Sequence, residues 1–196
     1  MGRLFVVLSL FCCICFSFIY QAKVDKQTKS EMILWNSATK LKWEDFKGIS
    51  DQKSEYKAMT YVVVKYDFDI QNDLINIGVK CFFVKDLAWT KEKSVSLLKH
   101  EQLHFDIAEL ITRKIRKDLS VHLSKNIKET QTYIDAIDKK YYNQQLDSIN
   151  TKYDTETNHS IIVEKQKEWE LKIAKDLKAL DKYASTKVVI KREKKK

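Results

Sequence analysis

"KHEQLHFDIAE", residues 99–109, places two histidines four positions apart, with a glutamate directly after the first. Leu97, Ile107, Ile111 and Ile115 recur at helical spacing around them, so Ser94 to about Asn126 reads as one long helix with both histidines on its inward face. Residues four apart on a helix lie one above the other, which lets the His100 and His104 rings converge on one point while Glu101 points to the side. An inward histidine pair is often only a neutral, hydrogen-bonded part of a core. The placement of the motif on the inner face of a helix favours the other reading, an HExxH site that uses the histidines as metal ligands and the glutamate as general base.

A hydrolytic zinc ion takes three protein ligands and keeps one position for water, so the helix must find a third ligand elsewhere. Asp106 and Glu109 read as supporting or surface carboxylates. If the chain turns near Asn126 and returns antiparallel, the level of the histidines is regained at roughly residues 148–152. A polar break, "NTKYDTETNHS" (150–160), follows there. His159 is the first candidate for the third ligand, with Glu164, Glu168 and Glu129 as alternatives. Tyr153 is a candidate extra donor to a developing oxyanion.

Ahead of the helix the period is two. Val62, Val64, Tyr66, Phe68 and Ile70 alternate with polar residues, "QND" makes a turn, and Ile75, Ile77, Val79, Cys81 and Phe83 share a face on the return, which predicts an antiparallel hairpin. Cys81 is then a small buried hydrophobe. Trp35, Trp43 and Phe46 sit in an expected strand and loop packed on the body. A second helix is expected from about Glu129 to Ile149 and a third from about Ile161 to Tyr183. The fold class is α+β: an antiparallel sheet packed on the histidine-bearing helix, with further C-terminal helices.

The first 22 residues carry one arginine, no acid and an apolar run from Leu4 to Tyr20. This is the layout of an export leader, either cleaved after Ala22 or kept as an N-terminal anchor. Residues 23–34 read as a linker, 35–185 as the folded domain and 186–196 as a solvated basic tail. Cys12, Cys13 and Cys15 fall in the leader, so Cys81 alone remains and no internal disulfide can form in residues 23–196. The net charge of +9 suits an anionic envelope surface as neighbour, or simply solubility. Nucleic-acid binding has no support beyond charge: glycine-rich loops, paired cysteine knuckles and aromatic-basic sheet motifs are absent from the sequence.

"LKWEDFKG" (41–48), "LLKHEQLHFDIAEL" (97–110), "YDTETNHS" (153–160) and "QKEW" (166–169) together resemble a family of bacterial secreted proteins assigned as zinc-dependent proteases and catalogued as a domain of unknown function. The resemblance covers most of the chain after the leader. It implies a zincin-like metallopeptidase fold and zinc dependence, with His100, Glu101 and His104 as ligand, base and ligand. His159 matches a histidine in the family's Thr-x-His-Gly segment, where Ser160 replaces the glycine.

The sequence therefore leads us to expect an exported zinc-dependent peptidase acting on a peptide or protein substrate. The rival is a non-catalytic envelope protein that keeps zinc, or only the fold, and binds partners through its basic surface. Glu101 favours the enzyme, because a purely structural zinc site does not require it. Fractionation of the producing cell is expected to find the protein outside the cytoplasm, and full-length chain soluble in the cytosol would contradict the leader.

Overall fold

The computed structural model describes residues 31–71 and 74–191. Residues 1–30, which hold the leader with its cysteines and most of the expected linker, residues 72 and 73 of the expected turn, and residues 192–196 lie outside the described residues. Six strands are described: β1 (Met32–Leu34), β2 (Ala58–Met59), β3 (Val62–Gln71), β4 (Leu74–Val84), β5 (Trp89–Thr90) and β6 (Lys187–Lys191). Four α-helices accompany them: α1 (Val95–Ser120), α2 (Ile127–Asp138), α3 (Asp147–Thr157) and α4 (Val163–Ala179).

The expected hairpin is the spine of an antiparallel sheet. β3 pairs with β4 along its whole length, Val64 opposite Cys81 and Tyr66 opposite Val79. Ile75, Ile77, Val79, Cys81 and Phe83 are buried, as period-two alternation requires of a sheet with one covered face. Burial also pushes the Cys81 thiol pKa upward, which leaves it a hydrophobe rather than a nucleophile.

The other edge of β4 corrects two expected boundaries. Residues 32–34 are not linker: β1 pairs with β4 at Phe82 to Val84. The basic tail does not start at 186 either, because β6 pairs with β4 from Leu74 to Gly78. Val188 and Ile190 are buried there while Val189 faces outward. The flanking lysines masked that short alternation.

α1 starts where Ser94 caps it, the hydroxyl accepting from the Leu97 amide at 3.2 Å. The helix is buried on nearly every side, between the sheet and the later helices. Glu109, read from sequence as a supporting or surface carboxylate, is in fact buried among arginines. Arg116 Nη1 donates to Glu109 Oε1 at 2.7 Å and Arg113 Nε donates to the same oxygen at 3.1 Å. Arg116 also donates to the carbonyls of Val79 and Tyr183, and Arg113 to that of Leu177, so the cluster ties α1 to β4, to α4 and to the turn after it.

The segment before β2 is pinned to α1 from outside. Trp35 Nε1 donates to Asp106 Oδ1 at 2.8 Å, and Gln102 Oε1 accepts from the Leu41 amide at 2.8 Å. A ladder of rings, Trp43, Phe46, Phe83 and Phe105, with centroids 5.0 to 5.9 Å apart, carries the packing from this segment through the sheet to the helix.

α2 runs into α3 through a wide π-helical stretch, Lys139–Leu146. Its buried residues Ile134, Ile137 and Tyr141 step by three and four, but the next is Leu146, a step of five. A π turn makes that step without ending the helix, so the covered face continues into Tyr153 and Thr157 of α3. The residues read from sequence as a polar break are therefore mostly helix, and the chain turns only after Thr157.

Gly48 is required for a close backbone approach. Its amide donates to the Ala88 carbonyl at 2.7 Å, and a Cβ there would lie 2.8 Å from that oxygen and 3.0 Å from the Asp86 carbonyl. The atoms nearest to a Cβ on Gly78 all belong to the Asp67 side chain, which can move aside. Gly48→Ala is expected to lower unfolding stability by about 1–3 kcal/mol and Gly78→Ala by less, read from denaturant midpoints. Equal midpoints for the two variants would contradict this packing.

Candidate metal centre

α3 lies antiparallel to α1, and four residues back along one helix match four residues forward along the other. Thus His104 Nδ1 meets Asn150 Oδ1 at 3.0 Å, and one turn away His100 Nε2 meets Asp154 Oδ1 at 3.0 Å. His104 Nε2 lies 3.0 Å from that same Asp154 oxygen and 3.2 Å from His100 Nε2. His100, His104 and Asp154 form a group that could hold a metal ion.

The outer nitrogens of the rings fix what the inner ones can do. The Glu170 carboxylate accepts from Gln166 Nε2 at 3.1 Å, which turns Gln166 Oε1 toward the Tyr153 hydroxyl at 2.7 Å and His100 Nδ1 at 3.2 Å. An amide oxygen only accepts, so His100 carries its proton on Nδ1 and presents a lone pair at Nε2. The Asn150 oxygen places the Nδ1 proton of His104 in the same way. Two imidazole lone pairs and a carboxylate oxygen then face one another at hydrogen-bond distance. A cation between them resolves this repulsion, so the residues fit a metal ion of nitrogen and oxygen preference.

Where no metal is bound, a proton does part of that work. Burial favours neutral His104, but its hydrogen bond to Asp154 and the charges of Glu101 and Asp154 outweigh it, and the His104 pKa is raised. Burial raises Asp154 in turn, yet its contacts with the His100 and His104 rings prevail and hold its carboxyl below the ordinary range. The raised His104 contributes stability below its unfolded pKa of about 6.5, lost as pH rises through the folded value.

These donors stand at the floor of a cleft of about 540 Å³, whose walls include Tyr56, Ala58, Met59, Thr60, Asp147 and Ile161. Glu101 lines the cleft beside the two histidines and is only 3% exposed. Its Oε2 accepts from the Thr60 hydroxyl at 2.7 Å, and among the described residues Oε1 accepts no hydrogen bond. The expected trio of His100, Glu101 and His104 is thus assembled as the spacing required.

The expected third ligand, His159, is not in the donor group that the structure brings together. His159 lies on the rim, half exposed, its Nδ1 3.8 Å from Asp154 Oδ1 and its ring 5.3 Å from that of Tyr56. It is next to the donor group and outside it; Asp154 joins the two histidines there because α3 persists to Thr157. The alternatives also fall elsewhere. Glu129 accepts from the Lys125 amide at the start of α2, Glu168 pairs with Lys165 in solvent, and Glu164 is exposed.

Tyr153, the expected extra donor, is placed behind His100. Its ring is fully buried, stacked on His100 with centroids 4.4 Å apart, and its hydroxyl donates to Gln166 Oε1 at 2.7 Å.

Asn158, His159 and Ser160 have φ of 45°, 51° and 77°. Three successive L-residues in the left-handed region end α3 abruptly, and Ser160 stands where glycine would relieve the backbone. Asn150, Asp154, Gln166 and Thr60 were missed from sequence. The first two carried a signal, because they fall about two residues beyond the antiparallel level that the histidine positions predict.

No family model matches the chain, and neither the curated proteins nor the solved structures yield a match.

Titration with zinc is expected to bind one ion per chain, with large losses of affinity in His100→Ala, His104→Ala and Asp154→Ala and a smaller change in His159→Ala. Affinity is expected to rise with pH through the His104 titration, because the metal displaces its proton. A folded protein that refuses zinc, or that loses it equally in the His159 and Asp154 variants, contradicts this centre.

Proposed function

We propose that the chain is an exported zinc-dependent peptidase of zincin-like type, with His100, His104 and Asp154 as ligands and Glu101 as general base. The observation that carries the reading is Glu101, a buried carboxylate held beside a convergent donor group, facing a cleft and tied by one oxygen only. A structural metal site has no use for such a group. The resemblance in the motif segments supports the family, and the acid-free apolar leader supports export. Among the described residues no helix is long and apolar enough to cross a membrane.

A zinc ion held by these donors supplies Lewis acidity, bringing the pKa of a water to about 7 and polarising a carbonyl oxygen. The protein supplies the rest. The cleft of about 540 Å³ is lined by both histidines and by Glu101. Glu101 Oε1 takes the proton from the attacking water as the new carbon–oxygen bond forms. The same carboxyl then returns a proton to the departing amine as the carbon–nitrogen bond breaks. Gln166 and Asn150 keep both rings in the tautomer that leaves Nε2 unprotonated. The basic surface remains a candidate contact with an anionic envelope.

Glu101→Gln keeps size and shape and removes the base. Zinc content and melting temperature are expected to stay near wild type while hydrolysis of an unfolded protein substrate falls roughly 10²-fold or more. If wild type and Glu101→Gln both hold zinc and cleave a broad peptide library equally poorly, the chain is a zinc-binding protein without this catalysis.

A further inference from the structure

Glu101 and the two histidines share one helix, yet the group that orients the Glu101 carboxylate belongs to the sheet side. Thr60 lies between β2 and β3. It is fixed from both sides: Met59 pairs with Trp89 of β5, and the Tyr61 carbonyl accepts from the Val84 amide at 2.9 Å. From this clamped position the Thr60 hydroxyl lies 2.7 Å from Glu101 Oε2 and 3.2 Å from the Glu101 backbone carbonyl. A hydroxyl has one proton, and the nearer, charged oxygen is the stronger acceptor.

The geometry points to Thr60 as the positioning residue of the site: by donating to Oε2 it holds the Glu101 carboxylate off the metal and leaves Oε1 free in the cleft. Without that donor a carboxylate adjacent to a ligand can swing onto the ion, where it fills the open position and stops being a base. Thr60 also lines the cleft with Ala58 and Met59, so the wall a substrate would rest against is continuous with the grip on the base.

This inference rests on the metal centre and deepens the hydrolytic reading, and two readouts separate them. The first is kinetic. Thr60→Val is expected to lower kcat about 10- to 100-fold with KM, zinc content and melting temperature little changed, and Thr60→Ser to recover most of the loss. The second needs no substrate. In the cobalt(II)-loaded protein, Thr60→Val is expected to weaken the visible d–d absorption as Glu101 joins the metal and coordination rises from four to five. Thr60→Val/Glu101→Gln is expected to keep the wild-type spectrum, and Thr60→Ala serves if the valine variant does not fold. A weakened cobalt band in a protein that cleaves nothing supports the positioning role and overturns only the peptidase reading. An unchanged cobalt band in folded Thr60→Val or Thr60→Ala, or a kcat loss that Thr60→Ser fails to recover, overturns the role of Thr60.

Discussion

The candidate centre depends on the phase between two antiparallel helices. α1 presents His100 and His104 at the four-residue step any helix provides, but they meet useful partners only because α3 presents Asn150 and Asp154 at the matching step in reverse. That phase is set by the π stretch, which takes up the step of five between Tyr141 and Leu146. A regular helix continued from α2 would rotate the later residues off the seam, and Asp154 would face solvent. Buried Tyr153, stacked on His100, and buried Thr157, bonded back to the Tyr153 carbonyl, anchor the face of α3 that delivers the aspartate.

What the sequence made legible is what has a period. The β3–β4 hairpin, the long α1, the burial of Cys81 and the inward histidine pair follow from alternation of two or from steps of three and four, which one buried face imposes on any strand or helix. The π stretch breaks the step, so the rod from Ile127 to Thr157 read as a helix and a polar break, and Asp154 was hidden in the break. β1 and β6 are short, and their pairing with β4 is a long-range choice that local composition does not encode. Glu109 was misplaced for a related reason: a carboxylate counts as surface until arginines from its own helix enclose it.

The end of α3 shows a local cost beside the centre. Asn158, His159 and Ser160 occupy the left-handed region in succession, at the point where the chain must stop descending and leave room for the cleft. The turn carries His159 to the rim, near Tyr56 and close to Asp154 but outside the compact group. The same contrast between convergence and standing aside applies to Glu101. It is adjacent to His100 in sequence, and Thr60, held between β2 and β3, keeps it to one side.

X-ray absorption at the zinc edge of the loaded protein tests the coordination most directly. A first shell of two imidazole nitrogens and one carboxylate oxygen at about 2.0–2.2 Å, with a further light atom from solvent, is expected, and the carboxylate contribution should vanish in Asp154→Ala. A shell with three imidazoles that persists in Asp154→Ala, or one without paired histidines, would contradict the centre.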